Sequence, residues 1–409
     1  MLRWIIFIVV YIALGLYALQ ALKTATRQPW VYYLFIAISV LVLGNFIYQF
    51  TLGEAQGRVL SRPKSYAFGL LLTVLTFQLI TIIFLFSEDI FRFLTGVYNK
   101  VFGGTKEFSL PERRRFFSII ALGIAAIPFG ALLYGMYKGK YNFKVLKYDL
   151  EFDDLPDAFN GYQITQISDI HSGSFDDRKK IEYAVDLINQ QKSDVILFTG
   201  DMVNNKTEEM KPWADLFATL EAKDGKFSVL GNHDYGDYIE WETEALKREN
   251  LEDLKNLQRT IGFDLILNDN RYLQKGDDKI ALIGVENWGR GGFKKAGDLK
   301  KAASAVAKDD FKILMSHDPS HWEDVVLHDD YHYHLTLSGH THGMQFGIEI
   351  PGWIKWSPVK WRYKYWAGIY KELGQYINVN RGFGFLGYPG RVGIWPEISV
   401  ITLRKKSLT

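Results

Sequence analysis

Five short apolar runs in this 409-residue chain each stop directly before side chains that bind divalent cations. Residues 164–168 lead into Asp169-Ile170-His171, and 195–199 run up to Asp201. Residues 227–230 lead into Gly231-Asn232-His233-Asp234, 312–316 into His317-Asp318, and 334–338 into Gly339-His340-Thr341-His342. Carboxylate, imidazole and amide donors without thiolate suit Mn, Fe or Zn better than calcium, which prefers oxygen throughout. The donors outnumber a single tetrahedral site and suit two ions that share one carboxylate. Asp169 and His171, like His340 and His342, are two residues apart, and in extended backbone that spacing points both side chains the same way. Glycines at 200, 231 and 339 allow the chain to turn tightly beside an ion. The chain has no cysteine, so a thiolate nucleophile, a disulfide, an iron–sulfur cluster and a cysteine zinc site are all excluded. It also lacks a G-x-S-x-G elbow.

These donors need elements to position them. The apolar runs read as buried strands. Between the first two, residues 176–191 carry Ile181, Ala184, Val185 and Ile188 on one helical face, with Asp176 or Asp177 placed to cap it. Further helices are expected at 212–221 and 240–261, and strands with glycine turns over 376–404. Strand alternating with helix implies a layered α/β core, and ligands gather outside the carboxyl ends of such strands, so the five motifs should converge in one crevice.

The order DxH, GD, GNHD, H, GHTH over positions 169–342 resembles the calcineurin-like metallophosphoesterases. The sequence GHTHGMQ, the stretch Asn380-Arg381-Gly382-Phe383-Gly384, and Arg391 through Pro396-Glu397-Ile398 look like the membrane-associated or twin-arginine-exported branch of that family. The resemblance implies a four-layer α-β-β-α sandwich over residues 141–409. It assigns Asp169, His171 and His342 to one divalent ion and Asn232, His317 and His340 to a second, with Asp201 bridging them. Asp201 and His233 are then the catalytic pair, His233 contacting the phosphoryl group and protonating the leaving oxygen. Two cations would clamp the phosphoryl oxygens and lower the pKa of a bridging water toward about 7, so that hydroxide attacks phosphorus and no protein nucleophile is needed. Many relatives carry an acidic residue three positions after the bridging Asp, where this chain has Asn204. An amide there accepts the imidazole hydrogen bond without offsetting imidazolium charge; Asp234 is the candidate substitute.

The front of the chain has a different character. Only five of the 46 acidic residues precede position 141. Four apolar stretches, 2–22, 30–52, 66–86 and 116–137, each reach the ~20 residues needed to cross ~30 Å of hydrocarbon, defining a membrane domain over 1–140. Trp4, Trp30, Tyr32 and Tyr33 suit the interfaces. Basic residues divide evenly between the two sides. Those after position 137 lead into a large domain and count for less, so the cluster Arg113, Arg114 and Arg115 favours the 87–115 loop inside. That cluster, followed by Phe116-Phe117-Ser118, resembles an internal twin-arginine export signal; an ordinary basic flank is the plainer reading. Export places the second domain on the extracytoplasmic face of a bacterial inner membrane.

The net charge of +2 sets nucleic-acid binding aside. His321, His328, His332 and His334 read as surface or strand-edge histidines, and Asp318 as a turn or hydrogen-bonding residue. Residues 353–366 interleave Trp353, Trp356, Trp361, Trp366, Tyr363 and Tyr365 with four cations, suiting either a bilayer interface or a packed lid. Glu286, Asn287 and Trp288 are candidates for the crevice rim. The leading expectation is a membrane-anchored hydrolase of a phosphoester or pyrophosphate, the phosphorylated substrate being a lipid or cell-envelope intermediate. The alternatives are a UDP-2,3-diacylglucosamine-type pyrophosphate hydrolase facing the cytoplasm and a non-catalytic scaffold with the same fold.

Overall fold

The computed structural model describes residues 2–51, 59–102, 111–350 and 352–406. The end of the expected second span at residue 52, and positions 103–110 of the 87–115 loop, lie outside the described residues. The chain divides into two compact units, one ending at Tyr137 and the other running on from Lys138.

The first unit is four helices, α1 (Leu2–Ala25), α2 (Pro29–Thr51), α3 (Arg62–Phe102) and α4 (Pro111–Tyr137), all long and apolar enough to span a bilayer. Tyr11, Val42, Leu43, Leu71 and Val74 pack at their centre. The third helix is 41 residues and continues well past the expected end at 86. The acidic pair that ends its apolar stretch is compensated: Arg114 Nη1 lies 2.6 Å from Asp89 and 3.6 Å from the buried Glu88.

The second unit is built on two six-stranded sheets. In the first the order is β1 (Lys144–Phe152), β14 (Glu397–Lys405), β2 (Gln163–Ile167), β3 (Val195–Phe198), β4 (Lys226–Ser228) and β5 (Phe263–Leu265). In the second it is β12 (Gly368–Glu372), β13 (Gln375–Val379), β9 (Leu335–Ser338), β8 (Lys312–Met315), β7 (Asp278–Gly284) and β6 (Asp269–Lys275). A separate hairpin joins β10 (Ile348–Ile350) to β11 (Ile354–Trp356). The motif-bearing strands β2, β3 and β4 are parallel neighbours, as are β8 and β9.

Alternation explains the layers. In β3, Val195 and Leu197 enter the core between the sheets, while Ile196 and Phe198 enter the core on the outer face. From the second sheet, Leu282, Ile313, Met315 and Leu335 complete the inner core. Outside the first sheet lie α5 (Arg178–Asn189), α6 (Ala214–Ala218) and α7 (Glu244–Thr260), contributing Ile181, Phe217 and Leu254. Outside the second lie α8 (Leu299–Ala302) and α9 (Pro319–Asp324), contributing Leu299 and Trp322. The result is the α-β-β-α sandwich. The N-cap of α5 is Asp177, whose side chain accepts from Lys180 N. The expected helix at 212–221 is instead a 3-10 turn followed by the five residues of α6.

Two histidines outside the motifs are buried in this frame. His334 accepts from Lys312 N through Nδ1 at 2.9 Å and stacks on Phe311 with ring centres 4.1 Å apart. Burial lowers its pKa to about 4 despite Asp154, and burial likewise lowers that of His321 to about 4 despite Asp318 and Asp324. His328 and His332 are exposed. The unfolded chain takes up these two protons near pH 6.5 and the folded chain resists until about pH 4. Stability is therefore full above about pH 6.5 and declines as the pH falls toward 4, by roughly 2 kcal/mol per histidine at pH 5. Thermal unfolding in detergent should show a lower midpoint at pH 5 than at pH 7.5, and His334→Asn should reduce that difference.

Candidate metal centre

The five motifs leave the carboxyl ends of interior strands in two different sheets, three in the first and two in the second, and these ends bring the motifs together. The chain does this through left-handed turns. Asp169, His171, Asp201, His340 and His342 have φ of 53°, 47°, 61°, 69° and 52°. The expectation that each i, i+2 pair lies in extended backbone is thus corrected: the strands end before the donors, and the turns aim them. Such conformations cost on the order of 1–3 kcal/mol each and persist only when neighbours hold them. Backbone hydrogen bonds between loops do so, with Asp169 N bonded to Gly200 O at 2.9 Å and His171 N to Asp201 O at 3.1 Å. Approach is close enough to demand glycine at two points. A Cβ on Gly339 would lie 2.2 Å from Asp169 Oδ2, and one on Gly231 would lie 2.2 Å from Asp201 Oδ1.

The donors form overlapping sets: Asp169, His171 and His342; His171, Asp201 and His233; and Asp201, His317 and His340, with ligand atoms in each within 4.8 Å. His342 Nε2 is 3.0 Å from His171 Nε2 and 3.1 Å from Asp169 Oδ1. Asp201 Oδ2 is 3.5 Å from His171 Nε2 and 3.2 Å from His317 Nε2. Asn232 Oδ1 lies 2.8 Å from His340 Nδ1, joining the Asp201 side of the centre. His317 Nε2 is buried, with the Asp201 carboxylate as its ionic partner. Its other nitrogen is held 2.7 Å from Thr199 O. Imidazole nitrogens that face one another around one shared carboxylate fit a pair of divalent cations.

A calcineurin-like phosphoesterase profile matches residues 162–344, and a profile for the transmembrane domain of a probable calcineurin-like phosphoesterase matches residues 2–140. The chain belongs to the calcineurin-like metallophosphoesterases. It is 29% identical over 300 residues to an uncharacterized metallophosphoesterase of Bacillus subtilis, YkuE, covering 72% of this chain and 98% of that one. An uncharacterized metallophosphoesterase of Aquifex aeolicus is 28% identical over 286 residues, covering 68% and 99%. A transmembrane protein with metallophosphoesterase domain of Danio rerio is 25% identical over 296 residues, 70% of this chain but only 63% of the relative's length. The protein is thus a multi-pass membrane phosphoesterase.

Around the donors of this metallophosphoesterase, burial and charge set the protonation of the metal-free site. Burial keeps the imidazoles of His171, His233 and His340 neutral, below their ordinary pKa. Burial opposes charge on Asp201 too, yet His317 and His233 hold its carboxyl well below the usual range. Burial works against charge on His317, and Asp201 outweighs it to lift that pKa to about 10. The metal-free centre is therefore an ionised Asp201 paired with a protonated His317 among neutral imidazoles, and ligation by His317 must release that proton.

One supporting residue, Glu209, had no signal in the sequence, and others singled out there take different parts. The expectation that Asn204's side chain or Asp234 orients His233 is corrected: His233 Nδ1 is 2.9 Å from the Asn204 main-chain carbonyl, while the Asn204 side chain bonds Ser174. That carbonyl is placed by Glu209, whose carboxylate accepts from Asn204 N at 2.5 Å and Asn205 N at 3.3 Å. Asp234 instead accepts from the amides of Asp201, Met202 and Gly231 at 2.8–2.9 Å. Burial, with Asp201 nearby, raises its pKa to about 7. Tyr363 OH lies 2.8 Å from His340 Nε2, and Asp318 Oδ2 is 3.3 Å from the same atom. Arg391 is fully buried behind His342, 3.2 Å from Nδ1. Of the candidate rim residues, Glu286 bonds Tyr235 and Asn268, Asn287 is buried, and Trp288 stacks on His321. Phe293 of the same loop is the residue that meets His340, edge-on at 4.7 Å. A donor NH₂ in place of one Asp234 oxygen faces amides that also donate. Asp234→Asn should weaken divalent-ion binding about 10- to 100-fold, read by calorimetric titration of metal-stripped protein.

Proposed function

We propose that this phosphoesterase is a dinuclear hydrolase of a phosphoester or pyrophosphate, acting on a lipid or cell-envelope intermediate at the extracytoplasmic face of a bacterial inner membrane. Asp169, His171 and His342 would hold one divalent ion (Mn, Fe or Zn) and Asn232, His317 and His340 the other. The observation that carries this reading is the sharing of Asp201 between two donor sets. When bound, the two ions would supply Lewis-acid stabilisation of the phosphoryl oxygens and an activated water.

The chain's own residues account for proton handling. A carbonyl only accepts, so Asn204 O fixes one proton of His233 on Nδ1; the neutral ring then presents a bare Nε2, and it must first take up a second proton there before it can pass one to the leaving oxygen. The amide of His233 donates to Asp201 Oδ1 at 2.8 Å, so the proton donor and the shared carboxylate move as one body. The edge-on contact of His233 with His171, ring centres 4.8 Å apart, places the proton donor beside the Asp169 side of the centre.

Turnover of a panel of phospholipid, sugar-nucleotide and artificial phosphoesters by metal-reconstituted full-length protein in detergent tests the chemistry. Asp201→Asn should lower it by more than about 10²-fold, because even outer hydrogen-bond partners of metal ligands are worth that much; equal turnover by the variant overturns the reading. Orientation is separate. The cluster Arg113 to Arg115 supports an inside 87–115 loop, so a periplasm-active reporter fused after position 140 should be active and a cytoplasm-active one silent. The reverse pattern would favour the cytoplasmic pyrophosphate hydrolase.

A further inference from the structure

The β10–β11 hairpin, which follows the GHTH turn, has its faces reversed relative to a hairpin in water. The register sets Ile348 opposite Trp356, Glu349 opposite Lys355 and Ile350 opposite Ile354. Alternation therefore puts the four apolar residues on one face and the charged pair on the other. The charged face is the one anchored to the domain. Glu349 accepts from Arg381 Nε at 2.9 Å and Nη2 at 2.5 Å, Arg381 also pairs with the buried Glu397, and Lys355 donates to the carbonyl of Ala367. The apolar face is left largely outward, with Ile348 and Ile350 exposed, Ile354 and Trp356 half-buried and Trp353 at the turn 77% exposed; on the other face Glu349 is half-buried, while Lys355 is exposed although its amine reaches the domain. Trp361, 76% exposed, meets Trp356 edge-on at 6.1 Å and extends this surface, and Lys360 beside it is exposed. Antiparallel sheets normally bury the apolar face and solvate the charged one.

We propose that this ridge docks on the bilayer in which the chain is anchored, with Ile350, Trp353 and Trp361 at the boundary of headgroups and acyl chains and Lys360 among lipid phosphates. Tryptophan beside lysine is the composition of an interfacial surface, and its positive charge complements anionic lipid. Connectivity supplies the bilayer: α4 ends at Tyr137 and β1 begins at Lys144, a covalent path of about 20–25 Å at full extension. The ridge is also tied to the metal centre, since Ser357 Oγ donates to Gly343 O at 2.8 Å and Tyr363 OH lies 2.8 Å from His340 Nε2. Docking would set the centre at headgroup depth. That consequence rests on the hydrolase reading above; the docking does not.

Because the chain has no cysteine, single nitroxide labels can be placed cleanly. Ile350→Cys, Trp353→Cys and Trp361→Cys, with Tyr183→Cys on the exposed face of α5 as control, would be labelled in full-length protein. Each would be reconstituted at one copy per nanodisc of mixed phosphatidylethanolamine and phosphatidylglycerol. Labels at 350, 353 and 361 should collide several-fold more with oxygen than with a water-soluble nickel chelate, relative to the label at 183. Collision with nickel as free as at 183 at all three positions overturns the proposal. So does shielding that appears only with two copies per disc, which identifies a second chain as the occupant. The readout needs no turnover, so it stands or falls apart from the enzymatic reading.

Discussion

Asp201 is a carboxylate buried to 1% exposure, and nothing else in the catalytic domain makes sense without the groups that let it stay ionised there. An unpaired carboxylate at that depth would take up a proton. Here His317 sits 3.2 Å away from one sheet, His171 3.5 Å away from the other side of the site, and the amide of His233 donates at 2.8 Å. Those partners come from the ends of three strands, two in the first sheet and one in the second, so Asp201 is satisfied only when the sheets are packed in one relative position. The inner core that includes Leu197, Ile164, Ile313 and Leu335 fixes that position. Sheet packing and site assembly are thus a single condition.

The turns that follow the strands show how the strain is contained. Five donors hold left-handed backbone, which an isolated loop would abandon. Asp234 binds amides from the β3 and β4 loops, making those two turns one unit, and Glu209 does the same for the segment that presents Asn204 O. These carboxylates touch no substrate position in the geometry described. Their work is to keep main-chain amides satisfied where no strand partner exists, so that donor positions do not depend on the ions arriving.

What could be read in advance follows from what side-chain identity encodes. That the candidate donors follow strand ends was visible because short apolar runs and side chains able to bind metal are both written in residue type. The membrane helices were visible through hydropathy, although α3 outran its apolar window because Arg114 neutralises Asp89 from another helix, a long-range pairing that a local window does not see. The division of strands between two sheets was not legible from periodicity. Strands such as β3 are buried on both faces, and all four residues look alike; the sandwich was implied only by family resemblance. The orientation of His233 by a main-chain carbonyl was invisible for a simpler reason: every residue at position 204 has one.

The stretch Asn380-Arg381-Gly382-Phe383-Gly384 shows how one short segment can serve two ends of the domain. Phe383 N and Gly384 N bond to Ser168 O and Asp169 O at 2.8 Å, holding the turn that aims Asp169 and His171. Gly384 has no room for a side chain, since a Cβ would lie 1.9 Å from Ile170 O. Three residues before Gly384, Arg381 bonds Glu349 and Glu397 and so holds the Glu349 side of the β10–β11 hairpin against the domain. A buried arginine with two carboxylate partners is worth little as net stability, because desolvation consumes most of the attraction, but removing either partner is costly. Its value is orientational. The same five residues that stiffen the turn carrying Asp169 and His171 hold the neighbouring hairpin with Ile348, Ile350 and Trp353 outward, and that coupling ties the apolar ridge to the turn rather than leaving it an accident of the surface.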